Sequence, residues 1–146
     1  MATNAQLILT SGDIAGDPVN VDTGRVLLTK AGSDTNDLDQ STGLSRVHLR
    51  STTQKTLLTG NAEGDNLAAK IYLINKSDDA SLYVTVAINA QSIGKLYGGD
   101  FMFIPWSQTD TSASIKVAAT NWTSSTGDIP IEYALFHEDT DFLTNA

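Results

Sequence analysis

Between Ala69 and Glu138 apolar and polar residues alternate in five runs, separated by segments rich in Ser, Thr, Asn, Asp and Gly. Leu82, Val84, Val86 and Ile88 alternate with Tyr83, Thr85, Ala87 and Asn89. Ile115, Val117 and Ala119 alternate with Lys116 and Ala118. Ile129, Ile131, Tyr133 and Leu135 alternate with Pro130, Glu132, Ala134 and Phe136. Successive side chains of a β-strand point to opposite faces, so each run predicts a strand with one set in a core and the other outward. Lys70–Asn75 and Phe101–Pro105 are apolar on both faces. They predict strands covered on both sides, by a second sheet or by another subunit. Arg25–Lys30, Ser45–Ser51 and Thr56–Thr59 read as earlier strands.

The punctuation fits strands of this length. Asn75–Ser81 predicts a polar hairpin loop, and Gly98-Gly99-Asp100 a tight turn where positive φ costs little. Pro105 has no amide to donate, so it should end its strand or sit on a sheet edge. Asn121–Asp128 joins the last two strands. About eight short strands and no helical period predict an all-β chain, an antiparallel β-sandwich or jelly roll. Residues before Val19 hold only one short apolar run, Leu7-Ile8-Leu9, followed by two Gly-Asp steps and Pro18. The expected organisation is an extended N-terminal arm over residues 1–24, a β-sandwich over 25–139 and an acidic C-terminal tail over 140–146. The arm cannot form a core alone. Its strand-like stretch Gln6–Thr10 should dock on a partner, which makes Gln6, Leu7, Ile8 and Leu9 interface candidates.

Size and charge narrow the function. A chain of 146 residues fits one domain, which buries about two-thirds of its unfolded surface and needs no staples. It has no cysteine, which favours synthesis in a reducing compartment. The N-terminus lacks the basic and apolar regions of a signal peptide, so synthesis in the cytoplasm is expected. No apolar run approaches the roughly 20 residues of a membrane span, so no membrane partner is expected. A net charge of −8 repels a phosphate backbone at long range, which argues against nucleic acid.

Candidate chemistry is sparse. His48 and His137 are the only histidines, each among apolar strand residues, and no Gly-x-Ser-x-Gly elbow accompanies them. Enzymatic activity is therefore not expected, nor is a cofactor. Asp34, Asn36, Asp37 and Asp39 offer oxygens, but neither register supplies the central glycine and twelfth-position glutamate of a calcium loop. No metal site follows. Trp106 and Trp122, with Tyr97 and Tyr72, could form a sugar-stacking platform or serve as core and subunit contacts. Arg46, His48 and Arg50 share one face of a strand. The guanidinium forks of Arg46 and Arg50 suit carboxylates of a neighbour, such as the Glu138–Asp141 segment. The alternative is a solvated polar face that discourages edge aggregation.

Tyr72-Leu-Ile-Asn-Lys-Ser77, Leu82-Tyr-Val-Thr-Val86, Gly99-Asp-Phe-Met-Phe-Ile-Pro-Trp106 and Ile129-Pro-Ile-Glu-Tyr-Ala-Leu-Phe136 together resemble small β-sandwich virion proteins of tailed bacteriophages. The resemblance spans about half the chain, Ile71 to Phe136. The arm before Val19 has no counterpart in it. The resemblance implies a structural protein of the virion, made in the host cytoplasm, without cofactor and acting through extended interfaces. Capsid decoration (cement) is the expected role, with the major capsid protein as partner and self-association as a homo-oligomer, most often a trimer. A tail, neck or fibre-base component is the alternative within that class. A carbohydrate-binding module for host glycans is the alternative outside it.

Overall fold

The computed structural model describes residues 3–12, 19–28, 40–60, 68–107 and 113–137. The arm contributes β1 (Asn4–Ala5), β2 (Ile8–Ser11), β3 (Val19–Asp22) and β4 (Val26–Leu27). The body contributes β5 (Gln40–Ser41), β6 (Ser45–Leu49), β7 (Lys55–Thr59), β8 (Ala68–Asn75), β9 (Tyr83–Ile88), β10 (Gln91–Tyr97), β11 (Phe101–Ser107), β12 (Ser114–Ala118) and β13 (Ile129–His137). One body sheet runs β10-β9-β12-β7. The other runs β11-β8-β13, with β6 and then β5 along the remaining edge of β13. All pairings are antiparallel.

Counting β6 to β13 as one to eight, the sheets read 1-8-3-6 and 2-7-4-5. The chain changes sheet at every connection except the β9–β10 hairpin, which is the jelly-roll path. The all-β sandwich expected from the alternation is therefore the fold. Its inward residues are the predicted ones. Val84, Val86, Ile115, Val117, Ile129 and Ile131 are each at most 1 % exposed. Burying each of these aliphatic side chains stabilises the fold by about 1.5–3 kcal/mol. The interior divides into a cluster around Leu73, Val84, Val86, Val117 and Ile131, and a second around Ile71, Trp106, Ile115 and Leu135.

The differences from the sequence reading have physical causes. Strand β10 was not expected, because Gln91–Tyr97 holds few apolar residues and a glycine. Gly94 sits at a register shift against β9 with φ +151, a conformation open to glycine. The hairpin ahead of it turns on Asn89 and Ala90, both at positive φ, without the glycine that usually announces such a turn. Asn89 is fixed there by its side chain, whose Oδ1 accepts from Trp106 Nε1 at 3.1 Å and from the Ser114 amide at 2.9 Å. Asn75–Ser81 is not a hairpin loop. It carries the chain from β8 in one sheet to β9 in the other. Pro105 lies within β11 and does not end it; β11 is an edge strand, the other place its missing amide allows. Of the expected strand Arg25–Lys30 only Val26–Leu27 forms, and it pairs with β1. Among the described residues the first strand paired into a body sheet is Gln40–Ser41.

The sheet-to-sheet crossover is held by Asn75, which is fully buried. Its Nδ2 donates to the carbonyls of Leu82 at 3.1 Å and Leu96 at 3.0 Å, and its Oδ1 accepts from the Ser77 amide at 2.9 Å. Its backbone binds Asp100 O and the Gly99 amide. Beside it, Gly98 leaves no room for a side chain, because a Cβ there would collide with the carbonyls of Asp79 and Ser77.

Two substitutions test this account. Val86→Asp places an unpaired carboxylate in the first cluster at a cost of several kcal/mol; the expected result is loss of soluble folded protein. A soluble variant with unchanged far-UV dichroism and melting would show that this register is wrong. Asn75→Ala strands two buried carbonyls and an amide, at a cost of about 2–3 kcal/mol. Its melting temperature should fall by roughly 5–10 °C; a fall within a degree would mean that Asn75 is not the tie between sheets.

Candidate functional site

The arm folds as two short ribbons, β1–β4 and β2–β3. In β2–β3, Leu9 pairs with Val21 and Ser11 with Val19. Side chains alternate along each strand, so Leu9, Val19 and Val21 share one face while Ile8, Thr10, Asn20 and Asp22 share the other. All eight strand residues are exposed, with Ile8 at 58 %, Val19 at 50 % and Leu9 at 47 %. The expected strand around Gln6–Thr10 therefore exists as Ile8–Ser11, paired with β3 of its own chain.

The base of the ribbon is pinned by polar contacts. Thr23 N donates to Leu7 O, and Leu7 N donates to Thr23 Oγ1, both at 3.0 Å. Asp22 Oδ1 accepts from Gln6 Nε2 and from the Gly24 amide, both at 2.8 Å. Gly24 turns the chain at φ +64, a region that favours glycine. The Gly24 amide, and after it the Gln6 side chain, hold the Asp22 carboxyl below its ordinary value of 3.8.

The arm stands over the outward face of β8 and β11. The two enclose an open groove of about 510 Å³, walled by Leu7, Val26 and Leu28 from the arm and by Tyr72, Phe101 and Phe103 from the sheet. Phe101 is 60 % exposed on this edge strand. Among the described residues twelve large hydrophobic side chains are exposed, and nine of them are Leu7, Ile8, Leu9, Val19, Val21, Val26, Leu27, Phe101 and Phe103. Scattered exposed apolar residues are ordinary; a gathering of this kind marks an interaction surface.

The other candidates lie elsewhere. Arg46 and His48 do share the outward face of β6, with Arg50 just past its end, at the opposite edge of the same sheet from β11. The carboxylates they meet belong to this chain. Arg46 pairs with Glu132 at 2.9 Å, while Arg50 at 2.9 Å and His48 at 3.8 Å share Asp128. Pairs this exposed contribute only about 0–1 kcal/mol. The Glu138–Asp141 segment, the tail over 140–146 and the Asp34–Asp39 loop lie outside the described residues. His137 is buried at the end of β13, apart from His48.

Trp106 is corrected from interface to core: it is 3 % exposed, inside the second cluster. Trp122 is partly buried against the first cluster, with its indole N–H on Gly127 O at 2.9 Å. Neither gives an open stacking platform. Exposed Tyr97 stacks at a tilt on half-buried Tyr83, their ring centroids 5.1 Å apart, with Lys95 4.3 Å from the Tyr83 ring. The Thr120 side chain chiefly, with Lys95 adding to it, draws the Tyr83 phenol below its ordinary value. Among the described residues no three His, Asp or Glu gather as a metal site.

Sequence reasoning missed β3 and the groove. A signal was present: Val19-Asn-Val21 repeats the alternation of β2 across a Gly-Asp-rich connection, the pattern of a hairpin. No protein-family model and no curated protein sequence matches the chain.

The Asp22 contacts give a pH signature. A carboxyl held low in the folded arm stabilises it above the ordinary value, and that stabilisation is lost as pH falls from 3.8 through the lowered value. The Gly24 amide and Gln6 side-chain amide resonances should therefore titrate together with a midpoint below 3.8. Independent or higher midpoints would mean that Asp22 does not pin the ribbon.

Proposed function

We propose that this chain is a non-catalytic structural protein of a bacteriophage particle. In this reading it is a capsid decoration (cement) protein that binds the outside of the mature shell as a homo-oligomer, a trimer, and bridges capsomers of the major capsid protein. The observation that carries the reading is the gathering of nine exposed large hydrophobic residues on the arm and the adjoining sheet edge, on a sandwich whose own core is closed. A surface of that kind is built to be covered. The jelly-roll body and the resemblance of Ile71–Phe136 to small virion proteins supply the particle as the setting.

The mechanism is linkage. A protein that binds only the mature lattice stabilises it by mass action, and contact with several capsomers at once adds avidity without new chemistry. The experiment is a quantitative stained gel of purified virions, followed by addition of the purified chain to heads stripped of it. Decoration predicts copies in the hundreds per particle and a raised melting temperature of the re-coated heads. A few copies that travel with isolated tails would replace this reading with a tail, neck or fibre-base role. Absence from the particle would overturn both.

A further inference from the structure

We infer that the hollow between β6 and β7 binds the phosphate group of a small hydroxylated ligand, a sugar or polyol phosphate. This site stands apart from the apolar groove and does not rest on the decoration reading. Among the described residues β6 pairs only with β13, and β7 only with β12. Each strand therefore leaves a free edge, one from each sheet. Where the chain passes from the first to the second lies an open hollow of about 470 Å³, lined by His48, Arg50, Ser51, Thr53, Lys55 and Thr56, with Leu49 and Gln54. None of its lining residues is a carboxylate, and two are permanently cationic. A concave surface lined by one sign of charge focuses its field on the opposite one. The net charge of −8 opposes anions at a distance, so contact must select the ligand.

The donors for that contact are uncommitted. Arg50 gives Nε to Asp128 Oδ2 at 2.9 Å, and its side chain makes no other hydrogen bond among the described residues. The two terminal nitrogens remain, and they present a fork that fits two phosphate oxygens. Lys55 has no ion pair among the described residues and supplies a second charge. His48 turns Nδ1 towards Asp128 at 3.8 Å, which leaves Nε2. A neighbour's carboxylate put in place of Asp128 would exchange one exposed pair for another and gain little. An anion in the hollow adds to Asp128 without displacing it. Donors from three side chains exceed what the two oxygens of a carboxylate can accept, and suit the three terminal oxygens of a phosphate ester.

Volume and lining indicate what carries the phosphate. The hollow is in the size range of small-molecule sites and holds more than one ion. The hydroxyls of Ser51, Thr53 and Thr56 and the amide of Gln54 both donate and accept, as a hydroxylated body requires. Leu49 is the single apolar lining residue and is itself buried. An acyl chain or an aromatic ring finds no surface there.

The test follows the backbone amide resonances of the purified chain at fixed ionic strength. The probes are glucose 1-phosphate, glycerol phosphate, inorganic phosphate and glucose. The two esters should give saturable shifts centred on Arg50–Thr56, binding about tenfold more tightly than inorganic phosphate. Glucose should give none. Arg50→Gln and Lys55→Gln should each weaken ester binding about tenfold. Melting should be kept, because these are substitutions of exposed side chains. Arg50→Lys should weaken binding nearly as much as Arg50→Gln, since it keeps the charge and loses the fork. The inference would be overturned by shifts that never saturate, by shifts centred elsewhere, or by inorganic phosphate binding as tightly as the esters. Wild-type affinity in both glutamine variants would overturn it as well. All of this is read without particles, so it can fail or succeed independently of binding to heads.

Discussion

The buried amide of Asn75 is the constraint on which the rest of this fold depends. A jelly roll asks its chain to change sheets repeatedly, and each change leaves backbone polar groups where neither ladder can serve them. At the β8 end one residue answers several of these needs. The Asn75 side chain takes the carbonyls of Leu82 and Leu96, and its backbone takes Asp100 and Gly99. Two crossovers, β8 to β9 and β10 to β11, are thereby tied to one point. Gly98 lets their backbones touch. The register of β11 on β8, with Phe101 opposite Ile74 and Phe103 opposite Tyr72, starts from that knot. The exposed phenylalanines are thus held on a rigid edge, where an interface can be preorganised.

Charge is divided unevenly between the described residues and the rest of the chain. The described residues carry eight of the nine Lys and Arg but only six of the seventeen Asp and Glu, a net of +2, so the remaining segments carry −10. Arg46 and Arg50, which looked available for a neighbour's carboxylates, already have Glu132 and Asp128. A partner would gain only the difference between two exposed ion pairs.

What could be read from the sequence followed from period. Strands β9, β12 and β13 are buried on one face, and a two-residue alternation of apolar residues records that burial directly. Strands β8 and β11 read as apolar on both faces and so as covered on both, whereas the outward face of β11 is open at Phe101 and Phe103 among the described residues. Strand β10 is an edge with a bulge at Gly94, and its hairpin rests on Asn89 held from a distance by Trp106 and Ser114. Neither fact leaves a local mark. The pairing of sheets was equally illegible, because Asn75–Ser81 has the composition of a hairpin loop whether its strands pair or part. At the candidate site Leu7, Ile8 and Leu9 stood out as apolar residues in a polar arm. Their partners Val19 and Val21, and the groove at Tyr72, depended on long-range pairing that composition does not encode. Trp106 misled for the opposite reason: a proline before it marks a strand end in most contexts, whereas here it marks an edge.

The two parts of the molecule differ in what stabilises them, and the difference bears on assembly. The sandwich is stabilised by closed burial, so its stability is its own. The β2–β3 ribbon has eight exposed residues and a few hydrogen bonds at its base, so its local opening costs little free energy. A partner that covers Leu9, Val19 and Val21 must first offset the ordering of those strands, which lowers affinity per unit of area. The pinned base reduces that cost: Asp22, Gly24, Leu7 and Thr23 fix where the ribbon starts. Only the strands beyond the base then remain to be ordered by contact.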